Sequence, residues 1–124
     1  MGVPVRLALS EWNPGADRKA LLVHGLTSAG ACWWRVASRL ASAGFHVVAP
    51  DLRGHGRSPR TETYRIPDMA ADLLLLGRRW EVAVGHSLGG PIVASAAADP
   101  GWARRVVLVD ALLETPDDGL DDLA

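Results

Sequence analysis

The chain has 124 residues, of which 48% are hydrophobic and 22% charged, and its formal net charge is −1. These values are typical of one folded domain and argue against general disorder. The near-neutral charge gives no reason to expect a nucleic acid or an anionic membrane as a partner. The N-terminal MGVPVRLALSEW lacks a signal-peptide pattern, no run reaches the roughly 18 apolar residues of a membrane span, and Cys32 is the only cysteine. We therefore expect a cytoplasmic protein.

Short apolar runs and turn residues organise the first half of the chain. An alternating run predicts a strand, and two continuously apolar runs predict strands buried on both faces. Trp34, Ala37, Leu40 and Ala41 predict the buried face of a helix, and Gly44 lies where a C-terminal capping glycine is expected. In order, the predicted elements are strand Val5–Trp12, strand Ala20–Val23, a helix over 31–43, strand Phe45–Ala49 and the turn-rich segment Pro50–Pro59.

The second half continues the alternation of helices and strands. Pro67 and Asp68 favour a first helical turn, and Asp99-Pro100 ends a helix rich in small residues. The alternation predicts an α/β fold with a mostly parallel sheet of about five strands flanked by helices. We expect a core over residues 1–113 and an acidic tail over 114–124. The predicted elements are helix Pro67–Leu76, strand Val82–Val84, helix Gly89–Ala98 and strand Arg105–Val109.

Gly85-His-Ser-Leu-Gly89 joins the predicted fourth strand to the helix that follows. This G-x-S-x-G pattern is typical of a tight turn that holds a serine in strained dihedrals, where side chains two residues away would collide. Such a turn exposes the hydroxyl of Ser87 at a helix N-terminus, which favours a developing oxyanion. The alternative is a glycine-rich turn without chemistry.

A serine nucleophile needs an oxyanion hole, a histidine base and an orienting carboxylate. His24-Gly25-Leu26 follows the second strand, and a turn at Gly25 would direct the Leu26 amide across the site. The Leu88 amide would be the other donor. Taken alone, His24-Gly25 could equally be a strand-ending turn. We expect His24, Gly25 and His86 to line the substrate site.

These two motifs, together with Asp51-Leu-Arg-Gly-His-Gly-Arg-Ser58, resemble the α/β-hydrolase family and its serine esterase and lipase-like branch. The resemblance extends to the strand ending at Val109. It implies a hydrolase of small-molecule esters or related acyl compounds, with Ser87 as nucleophile and the Leu26 and Leu88 amides as oxyanion hole. The family's epoxide hydrolases and dehalogenases carry aspartate in place of this serine. We interpret Asp51–Ser58 as a hydrogen-bonded turn rather than a metal or acid–base site, and Cys32 as a packing residue.

In this family the acid and then the histidine follow the serine along the chain. No histidine follows Ser87, and the four present are His24, His46, His55 and His86. Asp110 is the candidate acid, with a capping role as the alternative. We therefore expect the N-terminal portion of a hydrolase, without the last strands and the cap, and with little activity alone.

The predicted last strand raises a second functional possibility. Without a further strand, Val106–Val109 would be an apolar sheet edge, which favours pairing with another chain. The alternative function is thus a non-catalytic binding or assembly module that pairs through this edge. No cofactor or metal is expected in either case.

Overall fold

The structure is a computed structural model that describes residues 3–111. These residues form five strands and three α-helices, with a short 3-10 helix, Gly30–Trp33, directly before the first α-helix. In chain order the elements are β1 (Leu9–Trp12), β2 (Arg18–Val23), α1 (Trp34–Ser42), β3 (Phe45–Pro50), α2 (Ile66–Leu74), β4 (Val82–His86), α3 (Gly89–Ala96) and β5 (Val106–Val109).

The strands form one sheet in the order β1-β3-β2-β4-β5. Strand β1 is antiparallel to β3, and every other pairing is parallel. The mostly parallel α/β sheet predicted from the sequence is therefore confirmed. Because the carboxyl ends of parallel strands share one edge, this edge collects the residues that follow β2, β3, β4 and β5. They are His24, Asp51, Ser87 and Asp110, in that order.

Helices cover both faces of the sheet. Helices α2 and α3 contribute Met69, Leu73 and Ile92 to a core that also contains Leu21 and Val23 of β2. On the opposite face, Ala37 of α1 packs with Leu22, Val47 and Ala49. The alternation of Leu21 and Leu22 between the two cores is the period of two expected of a strand buried on both faces.

The first strand is shorter than predicted, since it begins at Leu9 rather than at Val5. The amide of Val5 donates to the Asp72 carboxylate at 2.8 Å, and that of Ala8 donates to the Ser58 hydroxyl at 2.8 Å. These backbone donors are therefore satisfied by side chains instead of a neighbouring strand, and the segment runs into the sheet as irregular chain.

The predicted buried face of the first helix was wrong at one position. Trp34 is 55% exposed, whereas Trp33 packs against the core around Ala37. The prediction assumed one α-helix from Ala31. The segment Gly30–Trp33 instead forms a 3-10 helix, whose residues advance by about 120° rather than 100°. The inward position therefore falls on Trp33.

Strand β5 is the edge strand that the sequence predicts. Its four residues, Val106 to Val109, have exposed fractions of 40%, 44%, 46% and 43%. Within residues 3–111, no helix has the length and apolar character needed to cross a bilayer. The predicted acidic tail over 114–124 lies outside the described residues.

Candidate active site

Ser87 occupies a strained turn between β4 and α3. Its φ is 53°, a left-handed conformation that few residues other than glycine adopt. The flanking glycines are required sterically. A Cβ on Gly85 would lie 2.4 Å from the Gly89 carbonyl oxygen, and a Cβ on Gly89 would lie 2.4 Å from the Val23 carbonyl oxygen. Strand and helix thus approach more closely here than any side chain would permit.

The backbone around Ser87 is fixed from both sides. Its amide donates to the Val109 carbonyl at 3.1 Å, and its own carbonyl accepts from the Gly90 amide at 3.0 Å. The residue is half-buried, and α3 begins two residues later. Ser87 therefore lies beside the N-terminus of α3, where the helix dipole favours negative charge.

The loop after β2 contacts the serine directly. A Cβ on Gly25 would lie 3.0 Å from the Ser87 Cβ, so glycine allows the loop and the elbow to meet. The Ser28 amide donates to the Gly25 carbonyl at 3.3 Å, and Thr27 has a φ of 62°. Among the backbone hydrogen bonds that turns and loops form within residues 3–111, none is donated by the amide of Leu26 or of Leu88.

His24 is buried, with 2% of its surface exposed. Its Nε2 accepts from the Leu52 amide at 3.0 Å, so its Nδ1 carries the proton and donates to the Gly25 carbonyl at 2.6 Å. Burial disfavours the charged ring and lowers its pKa, with a smaller lowering contribution from His55. With both ring nitrogens occupied by backbone groups, His24 is unavailable as a general base.

The segment Asp51–Ser58 is a hydrogen-bonded turn, as predicted. The Asp51 carboxylate accepts from the Gly30 amide at 2.8 Å and from the Arg57 amide at 3.0 Å. The Ser58 hydroxyl donates to the Asp51 carbonyl at 2.5 Å. The polar side chains of this segment therefore hold the backbone in place.

Arg53 anchors the same turn to helix α2 through a buried ion pair. Its Nε and Nη2 donate to the two carboxylate oxygens of Asp72 at 2.7 and 2.8 Å, and the two side chains are 2% and 1% exposed. The hydrogen bond to Asp72 raises the pKa of Arg53. Sequence reasoning missed Asp72. The available signal was an aspartate within a run of apolar residues, Met69 to Leu76, in a helix with few other polar positions.

The other histidines lie in different surroundings. His46 is near the amino end of β3, 3.8 Å from Glu11, and thus at the sheet edge opposite to Ser87. The ring of His55 packs 5.0 Å from that of His24, and its Nδ1 bonds the Arg53 carbonyl. His86 is exposed, with its ring edge-on to Trp33 at 6.4 Å.

Asp110 follows the exposed strand and is itself exposed, with a φ of 45°. Val109 pairs with His86 in the register of β4 and β5. Asp110, the residue directly after β5, is therefore the neighbour of Ser87 on the adjacent strand end, and neighbouring strands are about 4.8 Å apart.

A cavity of about 420 Å³ opens beside the elbow. Cys32 is exposed and borders this cavity, so its interpretation as a packing residue was wrong. The reason is the 3-10 helix, which turns Trp33 rather than Cys32 inward. Among residues 3–111, no group of three or more histidine, cysteine or acidic side chains could hold a metal ion. The cavity is bordered by His24, Ser28, Cys32, Trp33, His86 and Val109, among others.

Comparison with known proteins identifies the family. The family model of the alpha/beta hydrolase fold matches residues 21–123, and the chain belongs to this family. Lipase LipV of Mycobacterium tuberculosis is 35% identical over 111 residues, which are 86% of this chain and 42% of the lipase. Epoxide hydrolase A of the same organism is 40% identical over 116 residues, which are 87% of this chain and 35% of that protein.

A solved structure extends the comparison. The thioesterase domain from the curacin biosynthetic pathway superposes with a TM-score of 0.77 at 31% identity, covering 93% of this chain and 46% of that domain. The chain thus spans less than half the length of each of these relatives.

Proposed function

We propose that Ser87 is the nucleophile of a serine hydrolase that cleaves ester-type acyl bonds through an acyl-enzyme. The observation that carries this proposal is the elbow itself, with a φ of 53° at Ser87 between β4 and α3. A strained residue at such a joint presents its hydroxyl to the carboxyl edge of the sheet. Family membership and the similarity to a lipase and a thioesterase domain support an acyl substrate.

The Leu26 and Leu88 amides are the proposed oxyanion hole. Leu88 precedes the first residue of α3, and Leu26 follows the glycine that contacts Ser87. Attack of the serine oxygen on an acyl carbon places negative charge on the former carbonyl oxygen. Two amide donors facing that oxygen stabilise the transition state, and removing one donor typically costs about 3–4 kcal/mol.

The cavity beside the elbow is the proposed acyl site. Trp33, Val36 and Val109 give it an apolar lining, and His24 and His86 also border it. Gly25 is not among the residues that border the cavity, but it lies against Ser87. Cavities of about 300–1,000 Å³ hold small molecules, so a volume of about 420 Å³ suits a small acyl group. We propose an ester rather than an epoxide substrate, despite the similarity to Epoxide hydrolase A, because the elbow carries serine in place of aspartate.

Asp110 is the proposed acid of the triad, since it lies across the sheet from Ser87. We propose that none of the four histidines is the base. His24 has both nitrogens bonded, His46 lies at the far edge of the sheet, and the His55 ring packs against His24 with its Nδ1 bonded to the Arg53 carbonyl. His86 turns its ring toward Trp33. Loss of the histidine lowers turnover in serine hydrolases by roughly 10⁶-fold. We therefore propose that these 124 residues alone have negligible turnover.

An added base provides the test. The 124-residue chain and a Ser87→Ala variant are assayed with an activated short-chain ester across a series of imidazole concentrations. Free imidazole can replace a missing histidine as general base. We expect both proteins to behave alike without imidazole, and the wild type to exceed the variant increasingly as imidazole is added. A Ser95→Ala variant, which changes an exposed serine on α3, is the control and should match the wild type.

Each part of the proposal has its own contradicting outcome. If wild type and Ser87→Ala stay equal at every imidazole concentration, Ser87 is not the nucleophile. If the wild type turns over rapidly without imidazole and Ser87→Ala does not, the base is already present among these residues. Circular dichroism of each variant checks that the fold is retained.

A second candidate function is assembly through the sheet edge. The exposure of all four β5 residues favours it, because unpaired strand edges bind further strands. In this role the chain would be a non-catalytic binding module, and Ser87 would be dispensable for association.

A further inference from the structure

The loop between Gly25 and Gly30 is attached at both of its ends to the turn after β3. At one end, the Leu52 amide donates to Nε2 of His24 at 3.0 Å. At the other end, the Gly30 amide donates to Oδ1 of Asp51 at 2.8 Å. Between these two attachments lies Leu26, whose amide is the proposed oxyanion donor.

We propose that His24 and Asp51 are positioning residues that clamp this loop, and that the clamp requires His24 to be neutral with its proton on Nδ1. The proposal rests on the proposed function for the role of the Leu26 amide, but the clamp itself does not depend on Ser87. Neither side chain touches the substrate in this role. Each one acts by fixing the backbone that carries the donor.

The geometry leaves His24 no second arrangement. In the neutral Nδ1–H form, the ring donates to the Gly25 carbonyl and accepts from the Leu52 amide. Protonation would add a hydrogen to Nε2 and place it against the Leu52 N–H, so that two donors would face each other. The Leu52 hydrogen bond would then be lost, and the loop would keep only its attachment at Asp51.

Several charged groups face His24 from the surrounding elements. Asp51 favours the protonated ring, but its carboxylate also accepts from the Gly30 and Arg57 amides and lies 3.8 Å from the Arg57 guanidinium. The His55 ring, 5.0 Å away, opposes protonation when it is itself charged. From the end of β4, His86 faces the cavity beside the elbow that His24 also borders. Burial is the largest influence and lowers the pKa of His24, and the hydrogen bond to the Gly25 carbonyl offsets part of this lowering.

The close approach at Gly30 shows how little the loop can shift. A Cβ at this position would lie 2.2 Å from the Ala49 carbonyl oxygen, so the loop lies directly on β3. Asp51 is likewise enclosed, because a Cβ on Gly56 would lie 2.4 Å from its Oδ2. The Asp51 end of the clamp is therefore rigid. At the other end, protonation of His24 breaks the hydrogen bond from the Leu52 amide and releases the loop.

Nuclear magnetic resonance of the labelled 124-residue chain tests the clamp. Long-range proton–nitrogen spectra of the histidine rings should show His24 as the neutral Nδ1–H tautomer at pH 8. On acidification, the amide signals of Leu26, Gly30 and Leu52 should change together with the His24 ring, at a midpoint below about 6.5. Below that midpoint, exchange of the Leu52 amide should speed up roughly ten- to a hundredfold after correction for intrinsic rates.

Variants separate His24 from its neighbours. His24→Gln keeps an acceptor that can reach the Leu52 amide but cannot titrate, so the shared midpoint should vanish and the Leu26 signal should stay near its value in the neutral wild type. In His55→Gln the three amides should still titrate together with the His24 ring, but at a higher pH, because a charge that opposes protonation of His24 is removed. Ser87→Ala should leave the whole titration unchanged, which separates this test from that of the nucleophile.

Three results would overturn the clamp. One is a His24 ring with its proton on Nε2. Another is a Leu26 signal that titrates with His55 or His86 instead of His24. The last is a His24→Gln chain whose Leu26 titration equals that of the wild type. If that variant fails to fold, the ring tautomer and the shared midpoint of the wild-type chain decide alone.

Discussion

The two sides of the carboxyl edge of the sheet differ sharply in how they are held. On the clamped side, formed by residues 24–30 and 51–58, polar side chains are buried and bonded to backbone groups. On the open side, formed by residues 106–110, apolar side chains and Asp110 are exposed. Ser87 lies between them. The difference indicates that the proposed oxyanion half of the site is stabilised within these residues, whereas the half that would hold acid and base is not enclosed by them.

The largest expected effect comes from breaking the clamped side at Arg53. Arg53→Ala leaves the buried Asp72 carboxylate without its cationic partner and, among residues 3–111, with only the Val5 amide as donor. We therefore expect a loss of about 3–5 kcal/mol in the free energy of unfolding, measured by urea titration of tryptophan fluorescence. Arg104→Ala is the matched control, since that side chain is 70% exposed and pairs with Glu81 at 3.2 Å. It should cost less than about 1 kcal/mol. Equal losses in the two variants would contradict the view that the buried Arg53–Asp72 pair holds the clamped side in place.

A moderate effect is expected at the joint between the two sides. Gly85→Ala places a Cβ 2.4 Å from the Gly89 carbonyl oxygen and forces α3 away from β4. We expect a loss of about 1–3 kcal/mol in the free energy of unfolding, because packed backbone must move. Gly15→Ala, where a Cβ meets nothing within 4 Å, should change it by less than about 0.5 kcal/mol. If Gly85→Ala is as stable as Gly15→Ala, the elbow can accommodate a Cβ at residue 85 and glycine is not required there.

The smallest change in stability is expected on the open side. Val107→Lys puts a charge on an exposed edge strand, so the free energy of unfolding should change by less than about 1 kcal/mol, while self-association in sedimentation velocity should fall. Val3→Lys adds the same charge at a residue that is 82% exposed and outside the sheet. If that variant reduces association equally, or the wild type is monomeric at every concentration, the edge is not the contact.

Local patterns predicted most of the helices and strands, because the periodicity and turn residues that specify them lie within a few residues of each other. Gly44 directly follows the C-cap residue of α1 with a φ of 96°, as expected of a capping glycine. The G-x-S-x-G pattern predicted the elbow, because the steric need for glycine is local as well. The start of β1 was wrong, since Asp72 and Ser58, far along the chain, supply the partners that its amides use.

Within the proposed site, the sequence named candidate residues but could not show how each is bonded. His24 was expected to line the substrate site, and it does border the cavity. Its bonds to Gly25 and Leu52 depend on a contact between residues 28 positions apart, which no local pattern contains. The burial of Arg53 with Asp72 has the same origin, since a charged residue in a turn ordinarily predicts solvent exposure.

The strand order also sets the distances between the residues that follow each strand. Strand β4 lies between β2 and β5, with Gly85 paired to Val23 and His86 paired to Val109, so the strands that lead into Gly25 and Asp110 flank the strand that leads into Ser87 at one strand spacing each, about 4.8 Å. These spacings come from ladder hydrogen bonds and hold whatever side chains are present. Substitutions at the carboxyl edge can therefore alter the chemistry offered there while the distances between the positions stay the same.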